Sequence, residues 1–394
     1  MNKNPVLLLG LFDTAIMTAR CFKGKGIPVY GMDYAINNAG FHSNLINAQQ
    51  IPVPLGNELK CVEYIIQWSG AFSNKPVLIP TSDLFVNLIK KYGELFGEHF
   101  LFLIPNYRRI KQILERSRQY TAARNAGLIV PNFIVGPIRS ESVTDLPLSF
   151  PVAVKPENVN EWKIHFKNKG FIASNVTHLA QIINEVNYKS VEYLIQEIIS
   201  GDNTQNYEVN SLYLPDGRLF QHTIRKLRQY PDGFGTATCI EHHSFPELEE
   251  YATVLLKKLE LIGFSNIEFK YNNTDGKYYY IETNTRAWLQ VNFSANLGIN
   301  FPELYYRYLT GRDLPPRIEI KDKGKWVDFM PDLLFWTKYR KKYNYSLWGF
   351  IRSWFPLISC GLFSLTDPMP FIISIKNMQV IGKFLKKKCG RYDN

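Results

Sequence analysis

Residues 265–286 read SNIEFKYNNTDGKYYYIETNTR. The run Asn273, Thr274, Asp275, Gly276 is turn chemistry, because Asn and Asp bond their own backbone and Gly takes positive φ without cost. Aromatic and β-branched residues flank it, so the stretch predicts a hairpin with strands near 265–271 and 278–283. Successive strand side chains alternate between faces. Glu282 and Asn284 therefore share one face, and the turn brings Glu268 opposite or diagonal to them. Two bare carboxylates about 4 Å apart repel by about 4 kcal/mol at an effective dielectric of about 20. The cluster needs a cation, and magnesium suits it, since that ion takes oxygen ligands and shares them with substrate phosphates. A solvated polar strand face reads the same way. Arg286 stays near the site if the chain remains extended, where its guanidinium could hold a phosphate or carboxylate bidentately.

Upstream, short strands alternate with turns at 152–155, 170–173, 193–198, 206–214 and 219–224, interrupted by helices near 178–187 and 246–261. This is the texture of an α+β module. Lys155 ends the first of these strands, from which it can reach phosphate oxygens; a lysine guarding a sheet edge is the plainer reading. Residues 193–199 run into Ser200, Gly201 and Asp202, a strand leaving its sheet at a hinge. Its backbone groups beside apolar side chains could hold a flat ring, or simply complete a core strand. Lys226 and Arg228 precede Pro231, Asp232, Gly233, Phe234 and Gly235, which reads as a mobile glycine loop closing two cations over a polyphosphate. A surface loop with stray charges competes. His242 and His243 have no evident carboxylate partner and receive no role.

The N-terminal third has a different rhythm. Apolar runs at 5–9 and 27–32 enclose a helical pattern at 14–25, and a second unit follows with a helix near 58–68, a strand near 76–79 and the polar loop Pro80, Thr81, Ser82, Asp83. That is an open parallel sheet, which binds ligands at its strand ends. Helical spacing resumes at about 107–125 and stops at Gly127 and Pro131.

With 394 residues, 45% of them hydrophobic, the chain can bury a core across two or three modules. Its net charge of +11 suits phosphate-bearing partners, whether nucleotide, nucleic acid or anionic membrane. No reading helix or stacking platform for nucleic acid is recognisable. Cys21, Cys61, Cys239, Cys360 and Cys389 show no metal or disulfide spacing and read as reduced cytoplasmic thiols. We expect no signal peptide, and Arg352, Pro356, Asp367, Pro368 and Pro370 break the weakly charged stretch 345–375 before a spanning helix forms. Trp348, Phe350, Trp354, Phe355 and Phe363 stand near the basic tail Lys383, Lys386, Lys387, Lys388 and Arg391. Together they predict either a helical cap or peripheral contact with the inner membrane face.

The order and spacing of these segments over about residues 5–311 resemble the ATP-grasp superfamily. Residues 79–83, 151–156, 196–202, 226–235 and 281–286 are similar to its carboxylate-amine ligase branch, which includes D-aspartate ligase-like and surface-polysaccharide-associated enzymes. The resemblance implies a Rossmann-like domain (1–115), a two-lobed ATP-grasp domain (116–315, lobes about 116–192 and 193–315) and a mainly helical, basic C-terminal extension (316–394). It implies that Glu268, Glu282 and Asn284 bind two magnesium ions, with manganese as a substitute, and that Lys155 contacts the α- and β-phosphates of ATP. Gln196, Glu197 and Ile199 would frame adenine, Asp202 or Asn203 the ribose, and Arg286, with Lys226 and Arg228, the transferring phosphoryl group. Ser117-Arg118 stands where the family shows Asp-Lys, so Arg118 would keep the positive charge there. Thr285 replaces a proline, and the glycine-rich phosphate flap gives way to Trp162, His165 and Phe166, leaving Lys167, Lys169 and Gly170 to cover phosphate. The implied activity is ATP-dependent joining of a small carboxylate to an amine through an acyl phosphate. A phosphotransferase and a noncatalytic nucleotide-binding protein at the membrane are the alternatives.

Overall fold

A computed structural model describes residues 3–103, 115–166, 168–233, 235–316 and 318–377. The chain forms two compact units, one from Met1–Leu103 with Arg286–Asn394 and the other from Ile104–Thr285. Lys167, Phe234 and the basic tail from Lys383 onward lie outside the described residues.

The first unit opens with β1 (Val6–Leu9), α1 (Asp13–Arg20), β2 (Val29–Asp33), β3 (Asn47–Gln50), α2 (Glu58–Ser69), β4 (Val77–Pro80) and α3 (Asp83–Lys91). Its four strands pair in parallel in the order β3-β2-β1-β4. Parallel strands are buried on both faces, which is why β1 and β4 read as unbroken apolar runs rather than alternating ones. The short polar strand β3 at the edge gave no such signal.

The second unit contains α4 (Arg116–Asn125), β5 (Phe133–Val135), β6 (Val152–Pro156), α5 (Val159–His165), β7 (Phe171–Ala173), α6 (Val176–Tyr188) and β8 (Tyr193–Glu197). It continues through β9 (Asn206–Tyr213), β10 (Leu219–Tyr230), β11 (Thr236–His242), α7 (Pro246–Leu259), β12 (Gly263–Asn272) and β13 (Lys277–Asn284). β5-β8-β6-β7 form one antiparallel sheet, and β13-β12-β9-β10-β11 are consecutive antiparallel neighbours in another. Because β8 pairs with β5 and β6, the chain changes sheets after Glu197 and not before Tyr193. β6 has neighbours on both sides, so Lys155 guards no edge.

One expectation fails here for a visible reason: β10 runs on to Tyr230, so Lys226 and Arg228 are buried strand residues and not members of a mobile loop. The segment that replaces a glycine-rich flap forms α5, whose Trp162 is fully buried against Phe166 and Phe171. A side chain of that size holds the segment to the core.

The chain then returns to the first unit with α8 (Val291–Leu297), α9 (Phe301–Leu309), β14 (Lys325–Val327), α10 (Phe329–Tyr339), α11 (Leu347–Arg352) and β15 (Leu357–Cys360). The described C-terminal residues are mainly helical, with two short strands, and they cluster with the first unit. Asp367 accepts bonds from Ser43 Oγ at 2.7 Å and Asn44 N at 3.0 Å, and the Arg20 guanidinium donates to the carbonyls of Gly361 and Leu362 at 2.5 and 2.8 Å. Among the described residues no helix is long and apolar enough to cross a membrane.

Candidate active site

Strand alternation builds the site. Val209, Ile267, Phe269 and Tyr280 point to one face of the second sheet, where they share a core with Leu248, Ala252, Leu255 and Leu256 of α7 and with Tyr120 and Ala123 of α4. The intervening residues must then face the other way. Glu282 of β13 lies directly opposite Glu268 of β12, which lies opposite Glu208 of β9, so three carboxylates stand side by side. The next rung is Asn284, Asn266 and Asn210. An irregularity in the β12–β13 pairing just past Glu268 re-aims the hairpin at this point.

The repulsion expected of such a row is relieved by the protein's own cations. Lys226 Nζ lies 2.8 Å from Glu268 Oε2 and 3.0 Å from Glu208 Oε1, and Arg116 Nη1 lies 2.7 Å from Glu282 Oε2. Burial alone would lower the pKa of Lys226 and of Arg116; the carboxylates beside them more than offset it and hold both charged. Glu282 is held below the ordinary carboxylate range: burial would raise it, but Arg116 and Lys155 outweigh that. Glu268 moves the other way, raised by burial and by its two glutamate neighbours despite Lys226. About a quarter of the Glu268 and Glu282 side chains remains open to solvent, 23% and 27%, so a small ion can reach them.

Lys155 is pushed down to about 7, first by burial and then by the Arg116 guanidinium, against the pull of Glu282 and Glu268. Lys169 is lowered by burial while the same two glutamates oppose the shift, and its Nζ lies 3.4 Å from Thr236 Oγ1. Gly170, at φ +146°, lets the backbone lie against β6: a Cβ there would stand 2.7 Å from the Val154 carbonyl. Arg228 is 1% exposed between two irregularities of the β10–β11 ladder.

Arg118 is not part of this cluster. It is largely exposed and pairs with Glu115 one turn away. The helical position beside the carboxylates belongs to Arg116, two residues earlier, at the start of α4.

The hinge residues are held by specific bonds. Gln196 is buried and its Oε1 accepts from Tyr120 Oη at 2.7 Å. Glu197 donates its amide to the Asn132 carbonyl at 3.0 Å, and its side chain accepts from Asn132 Nδ2 and the Ser149 amide. Ile199 follows just beyond β8. Asp202 is exposed and caps the turn through Thr204, whereas Asn203 is buried and donates to Asp232 Oδ1 at 3.1 Å. Lys270, which the sequence reading passed over, donates to the carbonyls of Gly201 and Asp202 at 2.9 and 2.5 Å. Gly201 itself sits at φ +124°, a backbone conformation that L side chains rarely adopt.

Arg286 belongs to the first unit, where its Nε lies 2.7 Å from Oδ1 of Asp83, the first residue of α3. His222 is 1% exposed and held neutral at about 3 by burial and by His242.

The donor set fits a divalent ion. Glu268 and Glu282 offer oxygens on adjacent strands, and Asn284 turns its Nδ2 toward Asn266 Oδ1 and Glu282 Oε1, both at 3.3 Å.

Residues 234–296 match the family described as the carbamoyl-phosphate synthase L chain, ATP binding domain. A D-aspartate ligase of Enterococcus faecium is 26% identical over 321 residues, which cover 75% of this chain and 74% of that protein. The ADP complex of an N5-carboxyaminoimidazole synthetase from Staphylococcus aureus superposes with a TM-score of 0.66 at 14% identity, covering 87% of both chains. An L-amino acid ligase from Bacillus licheniformis gives a TM-score of 0.60 at 15% identity, over 78% of this chain and 74% of that one. At these identities the structural likeness is one of fold.

Proposed function

We propose that the chain is an ATP-dependent ligase of the carboxylate-amine branch of the ATP-grasp superfamily, as its likeness to a D-aspartate ligase and to the ATP binding domain family supports, and that it phosphorylates a small carboxylate and hands the acyl group to an amine. The observation that carries the reading is the row Glu282, Glu268, Glu208, flanked by Arg116, Lys155 and Lys226. Three acids facing three cations form a surface that can exchange its internal ion pairs for a nucleotide and its divalent ions at little net change in charge.

Glu268, Glu282 and Asn284 would hold magnesium, which would supply charge neutralisation for the phosphates there. Arg116, Lys155 and Lys169 face the phosphate oxygens. Lys226, paired with both Glu268 and Glu208, would keep Glu208 as a partner if Glu268 held the ion. The Glu197 carbonyl and the Ile199 backbone meet adenine, and Asp202, the exposed member of the ribose pair, meets a sugar hydroxyl. We assign Arg286, with Lys226 and Arg228, to the acid substrate and the group in transfer.

A carboxylate oxygen attacks the terminal phosphorus and ADP leaves; positioning and electrostatics supply most of the rate. The amine nitrogen then attacks the acyl carbon, loses a proton, and orthophosphate departs, leaving an amide. The D-aspartate ligase relative supports an amino acid as the acid component. A place in cell-envelope or surface-polysaccharide synthesis is proposed on that same likeness.

The test is phosphate release from ATP, screened over amino acids and uronic acids with and without an amine acceptor. A ligase releases phosphate only when the acceptor is present, and an 18O-labelled carboxylate delivers one label to the orthophosphate. A stable phosphorylated acid formed without the amine would make the protein a phosphotransferase instead.

Lys155 gives this reading a pH signature. Phosphate beside an ammonium raises its pKa, so nucleotide binding takes up a proton wherever Lys155 is neutral in the free protein. Affinity is full below pH about 7 and falls as pH rises above it, by up to about tenfold per unit until the raised pKa of the complex is passed. Calorimetry of ADP binding in buffers of different ionisation enthalpy should record proton uptake above neutrality. A pH-independent affinity there would remove Lys155 from the phosphate site.

A further inference from the structure

The C-terminal part of the first unit carries a surface that the proposed chemistry does not use. Trp348 is 81% exposed, Leu365 86% and Phe355 61%, with Leu347 and Met369 also open. Their neighbours show that this is not a loose end: Phe350 is fully buried among Trp336, Tyr345 and Trp354, and Phe363 packs on Phe329 and Phe371. A structured element thus presents large apolar side chains outward, where a lone surface leucine would need no explanation but a group does.

Charge indicates what covers them. From residue 329 to 377 the basic side chains are Lys338, Arg340, Lys341, Lys342, Arg352 and Lys376, all exposed. The acids in the same stretch are Asp332 and Asp367, both buried. Asp332 accepts from Trp354 Nε1, and Asp367 accepts from Ser43. Every negative charge is therefore folded inward and every positive one faces out. The sequence beyond adds Lys383, Lys386, Lys387, Lys388 and Arg391 against a lone Asp393.

We propose that this face, led by Trp348, Phe355 and Leu365, seats the protein on an anionic lipid surface. Aromatic rings enter the headgroup boundary while the lysines and arginines meet acidic headgroups, the two signals that peripheral anchoring requires. A second copy of the chain would bring the same cations against themselves, so a lipid surface is the better complement. The proposal stands apart from the ligase site and survives its failure.

The test is cosedimentation of the full chain with phosphatidylcholine vesicles, with and without phosphatidylglycerol. Binding is expected to the anionic vesicles alone and to weaken with salt, and W348A/F355A should lower the partition coefficient about tenfold or more. Both residues are exposed, so the variant keeps its fold, which circular dichroism checks. Absence of binding to anionic vesicles at low salt, equal binding to neutral ones, or an unchanged variant would overturn the proposal. So would self-association in the ultracentrifuge that the variant abolishes, which would give the face to a second copy.

Discussion

Glu282→Gln is expected to lower ATP-dependent turnover by about a thousandfold while the protein remains folded. The substitution keeps volume and removes the charge that both a divalent ion and Arg116 need. Breaking a buried ion pair by removing one partner costs about 3–5 kcal/mol. This pair is 15% and 27% exposed on its two sides, so solvent screens it and the cost falls at or below the lower end of that range. Thermal denaturation should thus show a modest drop beside a near-complete loss of phosphate release. A variant with lowered melting and normal turnover would mean that the glutamate row is a structural ion-pair network and nothing more. Glu282→Asp separates the effects further, since it retains charge but withdraws the carboxylate by one methylene.

The second large effect is a contrast between two arginines. Arg116→Ala should weaken nucleotide binding and lower turnover by about a hundredfold, because it strips the phosphate-facing cation and leaves Glu282 facing only Lys155. Arg118→Ala should change stability by less than about 1 kcal/mol and leave turnover near normal, since its pair with Glu115 is exposed and one turn apart. Parallel measurements of ADP affinity and phosphate release on the two variants decide the matter. If Arg118→Ala were the damaging one, the assignment of α4 to the phosphate site would be wrong.

That contrast also marks what the sequence could and could not reveal. The strand pair around Glu268 and Glu282 was legible because its turn chemistry and alternation are local. The parallel sheet of the first unit was legible because burial on both faces leaves apolar runs in β1 and β4. Which arginine at the start of α4 points inward depends on how the helix is rotated against the sheet, and spacing alone left Arg116 unnoticed beside Arg118. Glu208 was missed for a similar reason: β9 sits between β12 and β10, so its carboxylate meets Glu268 only through a pairing of residues 60 apart. Lys226 and Arg228 were misread because Pro231, Asp232 and Gly233 announce a turn, yet the strand leading into it is 12 residues long. In α5, Trp162 closes a core, a tertiary fact that no local pattern contains.

On the proposed reading, Arg116 and Lys226 pair with the carboxylates that would hold the divalent ion. Titration of manganese into the protein with ADP, read by the free-ion signal in electron paramagnetic resonance, tests this directly. The account predicts that the wild type removes the signal of two ions per chain in a nucleotide-dependent manner and that Glu282→Gln removes little of it. Equal uptake by wild type and variant would contradict it.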